Sequence, residues 1–179
     1  MFDLIPHPDT PCSAITSINV ELERPTATML MLRYQAIGRL ANIMVPDEVE
    51  PGFQDGLWRE TCFEAFIGRA DRPAYVEYNF SPSGRYAAYG FDDYRQGMRP
   101  LLNTTINNYL SAFGANDWIE LCWRIELSSD CEDYQIGLSA VIAGIDGTKS
   151  YWALAHAPGP PDFHNRDCFI ATLPAPSEP

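Results

Sequence analysis

The sequence predicts an all-β protein, an antiparallel β-sandwich. Three observations lead there. Trp118 to Leu127 alternates strictly, with Ile119, Leu121, Trp123, Ile125 and Leu127 set against Glu120, Cys122, Arg124 and Glu126. That is the period of a strand with one buried face. About eight or nine short strand-like runs follow one another with turn signals between them. No stretch holds a helical period, and a doubly wound fold would need interleaved helices.

In chain order, Ile18, Val20 and Leu22 alternate with polar neighbours. Thr28 to Ile37 is more continuously apolar and ends at a turn on Gly38. Leu57 to Gly68 and Ala74 to Ser81 read as a neighbouring pair of strands. Leu101 to Phe113 comes nearest to a helix, but its Asn and Thr residues weaken that reading. Tyr134 to Ala143 is another apolar run, closed by Asp146-Gly147, and Ser150 to Ala157 and Cys168 to Leu173 complete the set. Composition agrees: 12% aromatic residues, 15 Pro and 12 Gly suit strands and tight turns better than a helix bundle.

A chain of 179 residues is expected to form one domain, here residues 1–173, followed by a flexible proline-rich tail at 174–179. The five cysteines are odd in number and lack a Cys-x-x-Cys pair. Neither a disulfide framework nor a zinc knuckle is indicated, and Cys62 and Cys122 are expected as buried free thiols. The formal net charge of −12, with Lys149 the single lysine, argues against nucleic acid and against anionic membranes as partners. No signal peptide and no membrane-spanning run is visible, so a cytoplasmic location is the default expectation.

Function-bearing residue types gather in three places. In a strand at 57–68, Phe63, Ala65 and Ile67 share one face, and Trp58, Glu60, Cys62, Glu64 and Phe66 the other. In the next strand, Val76, Tyr78 and Phe80 oppose Tyr75, Glu77, Asn79 and Ser81. If the two pair, Glu64, Glu77 and Asn79 lie side by side near Trp58. An aromatic face stacks on the C–H face of a sugar ring while carboxyl and amide groups hydrogen-bond its hydroxyls. The third place is a strand bearing Trp152 and His156, which runs into a proline-stiffened loop carrying Asp162, Phe163, His164, Arg166 and Asp167. Loops on a rigid scaffold often carry binding groups. A solvated sheet face and ordinary turn residues are the bland alternative for all three.

The strings Leu57-Trp58-Arg59-Glu60-Thr61-Cys62-Phe63-Glu64-Ala65-Phe66, Tyr78-Asn79-Phe80-Ser81-Pro82-Ser83-Gly84 and Tyr151-Trp152-Ala153-Leu154-Ala155-His156 resemble DOMON-like proteins related to carbohydrate-binding module family 9. The similarity continues through Pro161-Asp162-Phe163-His164 and Asp167 to the last strand. The resemblance implies an immunoglobulin-like or jelly-roll-like sandwich with a ligand site on its concave side or rim. It places Trp58 as one of two sugar-clamping aromatics, with Trp152 or Phe163 as the second, Glu64 as the acidic group and Asn79 as the amide. The chain departs from these relatives in having Glu77 where they often place an arginine.

The expectation is therefore a non-catalytic module for a small molecule, a sugar first. Its site residues would be Trp58, Glu64, Glu77, Asn79, Trp152, His156, Phe163, His164, Arg166 and Asp167. No metal or cofactor is required. Haem, through Met98, His156 or His164, and calcium, through Asp55, Asp92 and Asp93, are alternatives that the resemblance raises. A protein-interaction domain without a small ligand is a further alternative, through exposed sheet edges. Catalysis is disfavoured. Glu60 and Glu64 would lie about 13 Å apart along a strand at roughly 3.3 Å per residue, too far for a glycosidase pair, although Glu64 and Glu77 could be closer. No nucleophile elbow or phosphate loop is present.

Overall fold

The computed structural model describes residues 1–114, 117–127 and 133–175, with backbone alone for 109–114. Cys131 and the tail residues 176–179 lie outside the described residues.

Among the described residues, thirteen strands form one curled sheet that folds into two facing layers. They are β1 (Phe2–Pro6), β2 (Ile15–Thr26), β3 (Met29–Gly38), β4 (Gly52–Phe53), β5 (Cys62–Gly68), β6 (Tyr75–Phe80) and β7 (Arg85–Phe91). After these come β8 (Arg99–Pro100), β9 (Ile106–Gly114), β10 (Trp118–Glu126), β11 (Tyr134–Ala143), β12 (Lys149–Ala153) and β13 (Ala171–Leu173). The hydrogen-bonded order is β4-β7-β6-β5-β11-β12-β1-β2-β3-β10-β9, with β13 on β11 and β8 on β7. The fold is all-β and sandwich-like, as expected. Every pair is antiparallel except the two-residue β4–β7 pair, which is parallel.

The segment from Leu101 to Phe113 is not helical: Ile106–Gly114 pairs along β10. A neighbouring strand with a buried apolar face overrides local propensity there. The run from Leu57 to Gly68 is also not one strand. Leu57–Arg59 is a 3-10 turn entered through Gly56 at φ 78°, and the strand begins at Cys62.

The first layer, β2, β3, β10 and β9, turns Ile18, Val20, Leu30, Leu32, Tyr34, Ile119, Leu121, Trp123 and Ile125 inward. Its other face carries Glu21, Arg33 and Glu120; Arg33 pairs with the half-exposed Glu21 at 3.0 Å and with the largely buried Glu120 at 2.7 Å. The second layer, β7, β6, β5, β11 and β12, meets that core with Phe63, Ala65, Ile67, Tyr78, Phe80, Leu138, Ala140 and Trp152. Phe80 stacks on Trp123 at 5.0 Å, across the layers. Burial of such aromatic pairs is a large part of what holds the layers together.

The second layer is also covered on its far side. Every residue of β5 is buried, so its outward-facing residues are not in water. A second apolar cluster of Leu57, Cys62, Phe66, Tyr75, Tyr89, Phe91 and Phe169 lies there, with Phe53, Trp58 and Phe163 against it. The chain after β12 folds back over this face. Phe169 presses on Gly137 in β11 so closely that a Cβ there would stand 2.9 Å from its ring. The start of that loop is fixed to β1: His156 Nε2 meets the Ile5 carbonyl at 2.9 Å, and His7 Nε2 meets that of Gly159 at 3.0 Å. Cys62 and Cys168 are buried free thiols, and Cys12 and Cys122 are half-buried free thiols.

Candidate ligand-binding site

The register of β5 on β6 sets Glu64 opposite Asn79 and Phe66 opposite Glu77. Glu64 and Glu77 thus stand diagonally on the outer face of the second layer. The loop that folds back over that face leaves an open cavity of about 400 Å³ above them. Glu64, Glu77, Phe66 and Val141 form its floor. Trp58 from the 3-10 turn, Phe91 from the end of β7, and Pro161, Phe163 and His164 from the returning loop form its walls. Arg59, Arg95, Met98, Lys149 and Tyr151 complete its lining.

Packing orients the aromatic walls. Trp58 meets Tyr89 edge-on at 5.6 Å, and Phe163 lies 5.9 Å from Tyr151. His164 is wedged between Phe66 and Phe91 at 5.2 and 5.1 Å. Its Nδ1 is 2.8 Å from the Tyr75 hydroxyl. That hydroxyl already accepts the backbone N–H of Arg95, so its own proton is free to go to Nδ1. The arrangement leaves the imidazole proton on Nε2, which faces Glu77 Oε2 at 3.6 Å. That gap is longer than a hydrogen bond. Burial, and then the neighbouring Arg95, push the His164 pKa down to about 4. The imidazole is neutral at pH 7, and its contact with Glu77 is not ionic.

The two carboxyl groups are both more than nine-tenths buried. Burial is the main cause that raises Glu77 to about 7, against the hydrogen bond from Asn79 and the field of Arg95. Burial first, and the like charge of Glu77 second, push Glu64 well above the usual carboxylate range. Asn79 Nδ2 donates to Glu77 Oε1 at 2.7 Å and the Ser139 hydroxyl to Glu64 Oε2 at 3.4 Å. Among the described residues, no protein donor reaches Glu64 Oε1, and Glu77 Oε2 has only the distant Nε2. These oxygens face the open cavity, where a ligand's hydroxyls can bond to them.

One clasp fixes the cavity mouth. Asp162 accepts from the Tyr94 hydroxyl and from Arg95 Nη2, both at 2.8 Å. Arg95 holds the left-handed backbone at φ 52° at the tip of the β7–β8 hairpin. This ties the hairpin to the returning loop.

Of the residues singled out from sequence, Trp58, Glu64, Glu77, Phe163 and His164 line this cavity. Asn79 is wholly buried and does not line it. It lies behind Glu77, with Cys62 Sγ donating to its Oδ1 at 3.6 Å. Four others stand elsewhere. Trp152 points into the core between the layers, with Nε1 donating to Ser150. Its neighbour Tyr151 faces the cavity instead, because adjacent strand residues point to opposite faces. His156 is engaged with Ile5 beside β1. Arg166 lies over Phe169 and donates to the Arg69 carbonyl and to Gln135. Asp167 is exposed, in a 3-10 turn capped by Asn165.

Sequence reading missed Arg59, Phe91, Arg95, Lys149 and Tyr151 as cavity residues. The alternation of Tyr151 with Trp152 held a signal. The hairpin residues held none, since only the tertiary fold brings them over β6.

Of the residues proposed for haem, Met98 lines the cavity, but neither histidine is placed to join it on an iron. His156 is away from the cavity, Nδ1 of His164 is taken by Tyr75, and its Nε2 is turned to Glu77. The carboxylates proposed for calcium serve separate partners. Asp55 accepts from Tyr89, Asp92 from Arg99, and Asp93 from the N–H of Tyr94. Among the described residues, no group of three or more metal-ligating side chains is found. No helix among them is long and apolar enough to cross a membrane.

No protein-family model and no curated protein sequence matches the chain. A solved structure does resemble it. The crystal structure of a "putative carbohydrate-binding protein" from Bacteroides uniformis superimposes with a TM-score of 0.66. The match covers 96% of this chain and 83% of that one, at 16% sequence identity. At that identity the likeness establishes a shared all-β fold.

Proposed function

We propose that this protein is a non-catalytic binding module for a sugar, held in the cavity above Glu64 and Glu77. One observation carries this reading: two largely buried glutamates turn carboxyl oxygens that no protein donor holds into a cavity walled by aromatic rings. A sugar ring presents hydroxyls along its edge and C–H groups on its faces. The hydroxyls would donate to Glu64 Oε1 and Glu77 Oε2 and accept from His164 Nε2. The ring face would pack against Trp58 or Phe163. A protonated carboxyl group can also donate, so the floor suits a neutral polyol better than two fixed charges would. The cavity of about 400 Å³ falls within the roughly 300–1,000 Å³ typical of small-molecule sites.

Two further points support the reading. The Bacteroides uniformis neighbour is itself described as carbohydrate-binding. The sequence strings around Trp58, Asn79 and Trp152 resemble DOMON-like relatives of carbohydrate-binding module family 9.

The test is a panel of neutral mono- and disaccharides followed by tryptophan fluorescence and thermal shift. At least one sugar is expected to bind, and Trp58→Ala and Glu77→Gln are each expected to weaken it about tenfold or more. A flat response across the panel would remove the sugar reading. Release of an aryl leaving group from glycoside substrates, lost in Glu77→Gln, would replace binding with hydrolysis by the same carboxyl pair.

A further inference from the structure

Resting on that sugar-binding reading, we propose that the ligand is an acidic sugar: a ring bearing a carboxylate or phosphate that seats on Arg59 and Lys149.

The protein carries a net charge of −12 and only 12 Lys and Arg residues, yet its single lysine and two of its arginines line this one cavity. Arg95 is committed to Asp162. Arg59 and Lys149 are not committed in this way. Among the described residues, neither forms an ion pair with a carboxylate.

Both are nevertheless held in place. Lys149 Nζ donates to the Arg59 carbonyl at 2.7 Å, and the Arg59 guanidinium lies 5.8 Å from the centre of the Trp58 ring. Together they form a ridge beside the aromatic wall. A second depression of about 500 Å³ shares both residues on the other side of that ridge. Its own carboxylates, Asp47 and Glu60, line that side without pairing with either cation.

The floor and the ridge ask for different groups. Glu64 and Glu77 are desolvated and close to each other, so the floor takes hydroxyls and rejects an anion. The ridge offers two positive donors, open to water, with no carboxylate partner among the described residues. A guanidinium and an ammonium set side by side recognise a carboxylate or a phosphate through charge-assisted hydrogen bonds. A ring with hydroxyls on one edge and one anionic substituent at the other meets both demands. A purely neutral sugar leaves the ridge unused, and a simple anion leaves the floor unsatisfied.

The experiment compares matched rings by calorimetry at low salt: glucose, glucuronate and glucose 6-phosphate, with galactose and galacturonate. The acidic member of at least one pair is expected to bind about tenfold more tightly than its neutral partner. That preference should shrink towards unity at high salt. It should also shrink in the double variant Arg59→Gln, Lys149→Gln, whose thermal midpoint reports that it is folded. Which acidic group wins, carboxylate or phosphate, identifies the anion. Equal affinity for neutral and acidic rings overturns this inference and leaves the sugar module standing. So does a preference that survives in the double variant. Inorganic phosphate binding as tightly as glucose 6-phosphate overturns it as well, because the ring would then contribute nothing. No binding by any ring removes both.

Discussion

The two layers use the same kind of strand for opposite purposes. In the first, one face of β2, β3 and β10 meets the core and the other meets water. Charges on that outer face, such as Arg33 and Glu21, pair at the surface. In the second, both faces are covered. The charges on its outer face, Glu64 and Glu77, are as buried as the core beneath them. The same residue type therefore costs little in one layer and is strongly perturbed in the other. The difference comes from the loop after β12, which Phe169 anchors on Gly137, and not from the strands themselves.

Three measurements would break or sharpen this contrast. The largest effect is expected at the shared core. Trp123→Ala should cost about 3–5 kcal/mol by denaturant titration, because that ring joins the two layers through Phe80. A cost under ~1 kcal/mol would mean that the layers are not held by this contact.

The second concerns the buried acids. Glu77 is raised from 4.5 to about 7 in the folded protein. The folded state thus holds a proton that the unfolded state has lost, and stability falls as pH rises through that window. His164 is lowered from 6.5 to about 4, which gives the opposite slope below pH 6.5. The clean window therefore lies above pH 6.5. Between pH 6.5 and 8 the protein should lose on the order of 1 kcal/mol, following ~1.4 kcal/mol per pKa unit. Glu77→Gln should reduce that loss, because it removes the group itself and the like charge acting on Glu64, and leaves only the shift that burial of Glu64 causes. An unchanged slope would show that Glu77 is hydrated and freely ionised.

The smallest effect belongs to the outer face of the first layer. Glu21→Ala, which removes the exposed ion pair with Arg33, should change stability by no more than about 1 kcal/mol. A larger loss would show that this face, too, is shielded from water.

The first layer was legible in the sequence because water writes its alternation. Trp118 to Leu127 reads correctly residue by residue, since a polar face and a core face leave a period of two. The paired faces of β5 and β6, though covered on both sides, were legible because Glu64, Glu77 and Asn79 mark one of them, and the carboxyls do fall on one side. Trp152 was misplaced because the run from Tyr151 to Ala155 is apolar or aromatic throughout. A strand covered on both faces loses its alternation, and a one-residue shift then exchanges core for cavity. The hairpin residue Arg95 was invisible for a different reason. Nothing local to it records that the chain 67 residues later will fold back beside it and supply Asp162.

The short first strand has a use beyond its length. Residues Phe2–Leu4 pair with β2 and residues Ile5–Pro6 with β12. A single strand of five residues therefore closes the seam between both layers. Removing it would uncover two rows of backbone amides and carbonyls at once, each a template for a neighbouring molecule. β1 thus covers two strand edges that its loss would add to those the sheet already has at β4 and β9.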